Sequence, residues 1–303
     1  MSEVKNYQDV VEIASKHLGK VGGDGYKDTY DPSLLVKIPR ILNREGYGLT
    51  GKEFVGVDVW NAYEVSAITT KGQPVAGMLK IVCPADSENH VESKSIKLYL
   101  NSFNMTKIGN TAADCISGIE ARVKRDLDEL LDTNTTVTFY ASEFETEPLS
   151  FSDDFLDLSE ATDLDAIEFT SFKSDASQLD IEEHSTSTVV KYRSNLLRSN
   201  CRVTNQPDWG DIFIRIEGKN IPTPESIAKY IVSHRTVSHF HEEICEMVYK
   251  HLLDACEPEQ LMVSCLYTRR GGIDINPIRA SHSMLVPEFF TNPEYVIRKT
   301  LRQ

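Results

Sequence analysis

The chain has 303 residues and a formal net charge of −14 at pH 7, and its composition, 40% hydrophobic and 26% charged, is that of a globular protein long enough for two domains. The negative charge argues against nucleic acid as a general partner, because binding to a phosphate backbone needs a basic surface. No apolar run approaches the roughly 20 residues of a membrane helix, and the N-terminus lacks the charged-then-apolar layout of a signal peptide, so we expect a cytoplasmic location and no membrane partner.

The hydrophobic pattern of the first half predicts paired strands followed by helices. Val55, Val57 and Val59 alternate with small or polar residues, as in a strand with one buried face. Thr111 is a suitable N-cap, because its hydroxyl can accept a bond from a free helical N–H, and apolar residues follow it at helical spacing. In chain order we predict an amphipathic helix, an antiparallel hairpin, a long helix and a strand, at residues 6–18, 54–82, 111–131 and 137–140.

The second half has a similar order of predicted strands and helices, but its sequence does not repeat that of the first half. We predict two strands, two helices and a closing strand, at residues 186–197, 211–217, 223–232, 240–255 and 261–268. The acidic run over residues 153–165 is typical of a solvated linker. We therefore predict an α+β fold with antiparallel sheets, divided into a module over residues 1–150, an acidic linker over 151–170 and a second module over 171–303.

Among the six cysteines, Cys201 alone lies outside a strand or helix pattern. The cysteines form no CxxC pair and no zinc-finger spacing, so free thiols are expected in a reducing compartment. Arg202 would favour a thiolate at Cys201, and Asp208, seven residues after the cysteine, could fold back to move protons. A small buried cysteine beside a turn aspartate has the same spacing, so the spacing does not distinguish the two interpretations.

Three further stretches combine polar groups that suit a ligand. Residues 92–97 offer two hydroxyls, two lysines and a carboxylate, which suit phosphate oxygens and the N–H groups of a base, although a solvated loop has the same composition. His241 and Glu242 lie at a predicted helix start, and no metal site is predicted because the H-E-x-x-H pattern is absent. Residues 268–277 form a basic, glycine-rich turn that suits phosphate but is equally compatible with a plain surface turn.

In combination and in this order, these stretches resemble the long, two-module form of the 7-cyano-7-deazaguanine reductases, the nitrile reductases of the queuosine pathway. The resemblance rests on E-S-K-S-I-K-L-Y at 92–99, S-N-C at 199–201, Q-P-D-W-G at 206–210, F-H-E at 240–242 and T-R-R-G-G-I-D-I-N-P at 268–277. It runs from about residue 26 to the C-terminus. It departs beside the motifs, at Arg202, where an apolar or small residue is expected, and at residues 237–239.

The resemblance implies two tandem tunnelling-fold modules with helices packed on one face of antiparallel sheets, and a homodimer. It implies NADPH-dependent reduction of the nitrile of 7-cyano-7-deazaguanine to 7-aminomethyl-7-deazaguanine through a covalent cysteine thioimide, with two NADPH consumed. Carried over residue by residue, Cys201 attacks the nitrile carbon, Asp208 is the general acid/base and His241 assists proton transfer. The implied substrate contacts are Val91, Glu92, Ser93, His241 and Glu242, and the implied cofactor contacts are Ser93, Lys94, Arg270 and Gly271. Proton donation near neutral pH further requires that burial or a neighbouring thiolate raise the pKa of Asp208.

Other functions share parts of this pattern. An amidine-forming transferase of the same fold would use the thioimide but resolve it with an amine, and the intact cofactor residues and acidic composition favour the reductase. A non-catalytic deazapurine-binding module would lack the nucleophile or the acid, and both Cys201 and Asp208 are present. Without the resemblance, a cysteine hydrolase is the best interpretation, but no His–Asn pairing supports it.

Overall fold

The structure is a computed structural model that describes residue 12, residues 27–141, residue 150 and residues 153–303. Apart from position 12, the predicted helix over residues 6–18 lies outside the described residues. The strands are β1 (Lys37–Pro39), β2 (Val55–Ile68), β3 (Pro74–Pro84), β4 (Asn89–Val91), β5 (Thr136–Tyr140), β6 (Leu156–Asp157), β7 (Ile181–Ser194), β8 (Arg198–Asn200), β9 (Pro207–Pro222), β10 (Gln260–Tyr267) and β11 (Ile273–Ala280). The α-helices are α1 (Ile41–Arg44), α2 (Ser93–Asn101), α3 (Ala112–Leu131), α4 (Leu158–Ala161), α5 (Pro224–Ser233), α6 (His241–Cys256) and α7 (Glu288–Thr291).

One large sheet connects the two halves of the chain. Its strand order is β5-β3-β2-β11-β10-β9-β7-β6, with β8 paired to β9 at the side. All of its neighbours are antiparallel except β6 and β7. The halves meet where β11 pairs with β2, so that Ile275 lies opposite Trp60. The predicted α+β class with antiparallel pairing is confirmed, whereas the division into modules at residues 150 and 171 stays a prediction.

The hairpin and the long helix of the first half form where the sequence places them. Strands β2 and β3 pair through a turn that contains Gly72, whose φ of 84° lies in the left-handed region that glycine adopts without strain. Thr111 caps α3 by accepting from Asp114 N, and the Asp114 carboxylate accepts in return from Thr111 N. This reciprocal capping box fixes the start of the helix and supplies partners to two free N–H groups.

Helices from both halves cover the same face of the sheet. In the first half, apolar side chains of α2 and α3 pack on β2 and β3, and in the second half those of α5 and α6 pack on β9 and β10. Phe290 of α7 belongs to a separate cluster on the opposite face. There the C-terminal segment is held by Lys80, whose ammonium donates to the carbonyls of Phe289, Asn292 and Tyr295 at 2.8–3.1 Å. The prediction that helices cover one face is confirmed for α2, α3, α5 and α6.

The acidic run over residues 153–165 has regular structure of its own. It contributes β6, which pairs with β7, and α4, whose Leu158 is buried in the core of the second half. Its acidic side chains are largely exposed, as expected for a solvated segment. Within the described part of the chain, no helix has both the length and the apolar character needed to cross a membrane.

Candidate active site

A cavity of about 420 Å³ is lined by residues from both halves of the chain. Its volume lies in the usual range for small-molecule sites. The lining comes from the end of β4, the start of α2, the β8–β9 turn, the start of α6 and the β10–β11 turn. The structure brings every predicted site residue to this cavity: Val91, Glu92, Ser93, Lys94, Cys201, Asp208, His241, Glu242, Arg270 and Gly271.

The β8–β9 turn places Cys201 and Asp208 close together. Ser199 pairs with Asp208 across the two strands, so the chain reverses within the residues between them. Cys201 N donates to the Gln206 carbonyl at 2.8 Å, and Asn205, at a φ of 54°, donates to the Cys201 carbonyl at 2.9 Å. Asparagine tolerates this left-handed conformation better than most residues. Asp208 thus folds back towards the cysteine as the sequence predicted, and Cys201 is half-buried while the other five cysteines are buried.

Asp208 is buried between the guanidinium of Arg270 and the imidazole of His241. Its Oδ1 accepts from Arg270 Nη1 at 2.5 Å, and its Oδ2 lies 3.4 Å from His241 Nε2. Burial raises the pKa of Asp208, but His241 and Arg270 outweigh burial and hold it below its usual value. The raised pKa that proton donation requires is therefore contradicted for the ligand-free site. Asp208 is an ionised partner of Arg270 here, and it can donate a proton only after these ion pairs change.

His241 and Arg270 are themselves held in place. The His241 ring stacks on Tyr267, with centroids 3.8 Å apart and planes 5° from parallel. The second terminal nitrogen of Arg270, Nη2, donates to Gln206 Oε1 at 2.8 Å. Burial lowers the pKa of Arg270, but Asp208 and Cys201 raise it above its ordinary value. A permanent cation therefore lies beside both the thiol and the carboxylate.

Glu92 has a structural role that the sequence did not reveal. It is the N-cap of α2, and its carboxylate accepts from Lys94 N at 3.0 Å and from Ser95 N at 2.7 Å. The solvated-loop alternative for residues 92–97 is wrong, because Glu92 is 3% exposed and a helix begins at Ser93. Burial raises the pKa of Glu92 despite these bonds. The carboxylate is thus fixed against a helix end, with acceptor capacity left towards the cavity.

Glu242 is an unsatisfied buried acceptor. It lies in the first turn of α6, is 2% exposed, and its Oε1 has no hydrogen-bond partner among the described residues. The nearest basic group is His90, whose Nδ1 is 3.8 Å from that oxygen. Buried polar atoms in native proteins are almost always paired, so an orphaned acceptor in a cavity points to a ligand that supplies an N–H or O–H donor.

The β10–β11 turn and the start of α2 form a cationic side of the cavity. Gly271 and Gly272 have φ values of 61° and 79°, and a Cβ on Gly272 would lie 2.5 Å from the Glu64 carboxyl carbon. Lys97 donates to the Gly271 carbonyl and to Glu64 Oε2, which closes the turn over α2. Together with Lys94 and Arg270, this side offers the charge and hydrogen-bond donors that an anionic cofactor needs.

Several residues at the cavity were given no role on the basis of the sequence. Gln206, His239 and Phe240 lie in or next to the motifs, and that position was the only sequence signal for them. Trp60 and His90 lie in ordinary strand and loop patterns, which gave no signal. The rings of Phe240 and His90 pack edge to face next to Glu242, with their centroids 5.2 Å apart.

The fold and the site define a class of protein: an α+β protein with a half-exposed thiol next to a buried acid, at a cavity with carboxylate acceptors and a cationic side. Such a site suits a cysteine-dependent enzyme acting on a small ring that is rich in N–H donors. Comparison with known proteins makes this specific. Residues 26–139 match the family model described as nitrile reductase, 7-cyano-7-deazaguanine-reductase N-term, and residues 207–284 match the model described as QueF-like protein.

The chain is also similar to a whole curated protein. It is 39% identical over 277 residues to the NADPH-dependent 7-cyano-7-deazaguanine reductase of Hahella chejuensis, a match that covers 90% of this chain and 96% of that protein. The chain therefore belongs to the 7-cyano-7-deazaguanine reductase family, as the motifs predicted. Among solved structures, the apo archaeosine synthase QueF-Like matches 32% of this chain and 95% of its own, with 16% identity and a TM-score of 0.28.

Proposed function

We propose that this protein reduces the nitrile of 7-cyano-7-deazaguanine to 7-aminomethyl-7-deazaguanine with NADPH, as a step of queuosine biosynthesis. The observation that carries the proposal is the convergence of Cys201, Asp208 and Glu242 on one cavity, in a chain of this family. A neutral purine-like ring needs carboxylate acceptors rather than positive charge, so the acidic composition suits this substrate.

Glu92 and Glu242 would accept the hydrogen bonds of the ring's N–H groups. The unpaired Oε1 of Glu242 is available without breaking any bond among the described residues. Glu92 is held by the two backbone N–H groups that it caps, and this fixes its direction before the ligand arrives. Val91, Ser93 and His241 complete the lining around the ring. Acceptors that are fixed in advance cost little ordering entropy on binding.

Cys201 would attack the nitrile carbon. A sulfur–carbon bond forms, one of the carbon–nitrogen π bonds breaks, and the nitrogen takes up a proton, which leaves a thioimide on the cysteine. A thioimide accepts hydride more readily than a nitrile does, so covalent capture divides one difficult step into easier ones. The adduct must stay in the cavity until reduction is complete, because exposure to water would favour its hydrolysis.

The first proton would come from the Asp208–His241 pair rather than from Asp208 alone. Arg270 and His241 keep Asp208 ionised in the ligand-free site, and His241 Nε2 is 3.4 Å from Asp208 Oδ2. This distance is short enough for a proton to pass between the carboxylate and the imidazole. Substrate binding then needs only to shift that proton towards the nitrile nitrogen.

Ser93, Lys94, Arg270 and Gly271 would hold NADPH. Their donors and the close approach allowed by the two glycines fit a phosphate-bearing cofactor. When bound, NADPH supplies hydride, and two equivalents with two protons convert the nitrile to the amine. Between the two reductions the carbon–sulfur bond would break as the nitrogen lone pair forms a C=N bond, which would release Cys201 as a thiolate and leave an imine for the second reduction.

The test is the stoichiometry of the reaction. Purified protein is mixed with 7-cyano-7-deazaguanine and excess NADPH, and both NADPH oxidation and the product mass are followed. We expect two NADPH per amine formed and no turnover in Cys201→Ala. Discharge of the substrate onto an added amine, without NADPH oxidation, would instead identify the amidine-forming transferase.

We also propose that the protein is a homodimer located in the cytoplasm and that it binds no nucleic acid. The dimer rests on the resemblance of the motifs, and the absence of nucleic acid binding rests on the net charge of −14. Sedimentation velocity at micromolar concentration checks the homodimer. A gel-shift assay with transfer RNA at low salt checks the absence of nucleic acid binding.

A further inference from the structure

Arg202, the residue after the nucleophile, is buried and points away from the solvent. It is 4% exposed, and its Nη1 donates to both oxygens of Glu243 at 2.7 Å. The family resemblance predicts an apolar or small residue at this position, whereas this chain has a buried guanidinium. Burying an arginine is costly unless it is paired, and the pairing with Glu243 joins the cysteine turn to α6.

The Glu243 carboxylate, which accepts from Arg202, is itself held in place by other residues. It is the third residue of α6, and its carboxylate accepts from Phe240 N at 3.0 Å and from His239 Nδ1 at 3.0 Å. His239 in turn bonds Tyr47 through its other ring nitrogen at 3.0 Å. Burial raises the pKa of Glu243, but His239 and Arg202 outweigh it and lower the pKa to about 2. The carboxylate is therefore ionised at neutral pH, and it accepts from Arg202, His239 and Phe240 N.

Two backbone bonds form a second connection between the same elements. Asn200 N donates to the Val237 carbonyl at 2.7 Å, and His239 N donates to the Asn200 carbonyl at 3.1 Å. These bonds hold the residue before Cys201, while Arg202 holds the residue after it. The nucleophile is thus fixed on both sides against the segment that leads into α6.

The first turn of α6 also carries the groups that would receive the substrate. His241 and Glu242 immediately precede Glu243, so a contact to Glu243 sets the distance from the thiol to both. From these contacts we propose that the Arg202–Glu243 pair is a positioning device, which holds the Cys201 thiol in register with the ring-binding carboxylate of Glu242. The inference rests on the proposed function for its chemistry, but not for its geometry.

Rigid placement of this kind matters because covalent addition to a nitrile needs the sulfur within reach and in line with the bound carbon. Displacement of a reacting group by about 1 Å can cost about 100-fold in rate. The segment between Cys201 and Asp208 is a short turn with one left-handed residue, Asn205. Besides Arg202, its side-chain ties are the bond from Ser238 Oγ to Asn205 Oδ1 at 3.1 Å and the bond from Arg270 to Gln206 Oε1 at 2.8 Å. Without Arg202, the backbone bonds would hold one side of the cysteine only.

The test compares Arg202→Met, Arg202→Lys and the double variant Arg202→Met with Glu243→Gln. The double variant removes both charges, so it leaves no buried unpaired ion and is expected to fold. Arg215→Met is the control, since Arg215 pairs with Glu217 on β9 at the same distance of 2.7 Å, in a half-buried position outside the cavity lining. Each protein is mixed with 7-cyano-7-deazaguanine without cofactor, and the rate of adduct formation is measured by intact mass. Affinity is measured separately in a Cys201→Ala background.

We expect the double variant to form adduct about 100-fold more slowly, with affinity changed less than about threefold. Arg202→Lys should recover part of the rate, and Arg215→Met should match the unsubstituted protein. The alkylation of Cys201 by iodoacetamide gives a readout independent of the substrate, because the other five cysteines are buried. Alkylation should become several-fold faster in the double variant, since the turn is released.

Adduct formation and alkylation at the unsubstituted rates in the folded double variant would overturn the positioning role. Equal losses of rate and affinity would also overturn it, since they indicate general damage to the site. If the unsubstituted protein forms no adduct, the proposed function fails, and the alkylation rates alone then decide the positioning role.

Discussion

Replacing Glu242 by glutamine tests how the cavity recognises a ring. The change keeps the shape of the side chain but removes its charge, and it presents an amide N–H₂ group where a ligand donor is expected. Glu242 Oε1 has no partner among the described residues, so the substitution breaks no existing bond at that atom. The free protein should therefore be as stable as the unsubstituted one, while the complex loses a charge-assisted bond.

The size of this loss follows from the kind of bond removed. A hydrogen bond to a charged group contributes about 1.5–3 kcal/mol, which corresponds to about a 10-fold to 150-fold rise in Kd. Glu92→Gln provides the contrast, because Glu92 also caps α2 through Lys94 N and Ser95 N. That variant should lose affinity and also about 1 kcal/mol in the free energy of unfolding.

The assay is calorimetry with 7-cyano-7-deazaguanine in a Cys201→Ala background, which prevents covalent capture. Urea unfolding of the same proteins measures stability. An affinity for Glu242→Gln within twofold of its parent would refute the reasoning that the orphaned oxygen receives the ligand. A large loss of stability in Glu242→Gln, comparable with that of Glu92→Gln, would show that Glu242 has a structural partner instead.

Three further predictions follow from charged groups in the structure. Arg270→Met removes the cation that pairs with Asp208, so the pKa of Asp208 should rise. The pH at which cofactor-free adduct formation declines should then move upward. A pH profile that does not move would contradict the role of Asp208 as proton donor. Burial is the largest cause that lowers the pKa of His234 from 6.5 to about 4 in the folded protein. Between these two values the folded protein keeps His234 neutral, whereas the unfolded chain binds a proton there. Stability should therefore fall by about 2 kcal/mol between pH 7 and pH 5 on account of His234, and urea unfolding of His234→Asn should show a shallower fall. Lys80→Met removes the ammonium that binds three carbonyls of the C-terminal segment. Limited proteolysis should therefore cut after residue 285 faster than in the unsubstituted protein. An unchanged cleavage rate would show that apolar packing alone holds the segment.

The elements that the sequence predicted well are those that local rules determine. The alternation of Val55, Val57 and Val59 identifies β2, and Thr111 with its helical apolar spacing identifies α3 almost to the residue. These signals arise within a few residues of each other. The pairing of β11 with β2 depends instead on residues more than 200 positions apart, and no local pattern specifies it.

The site shows the same division. Motif order placed Cys201, Asp208 and Glu242 at one site, because the resemblance carries long-range information that composition lacks. The ion pairs around Asp208 were not foreseen, since Arg270 was assigned to the cofactor alone. Arg202 was expected to favour the Cys201 thiolate and was noted as a departure from the family pattern, but the structure pairs it with Glu243. That partner lies 41 residues away, so the contact became visible only in three dimensions.

The central claim is that the Cys201 thiol adds to a carbon–nitrogen triple bond bound beside it. The most direct measurement is the intact mass of the protein after incubation with 7-cyano-7-deazaguanine in the absence of cofactor. We expect a single adduct of substrate mass on the unsubstituted protein, none on Cys201→Ala, and its discharge as the amine when NADPH is added. A protein that turns over the substrate with NADPH but never shows this adduct, or that shows it equally in Cys201→Ala, would contradict the claim.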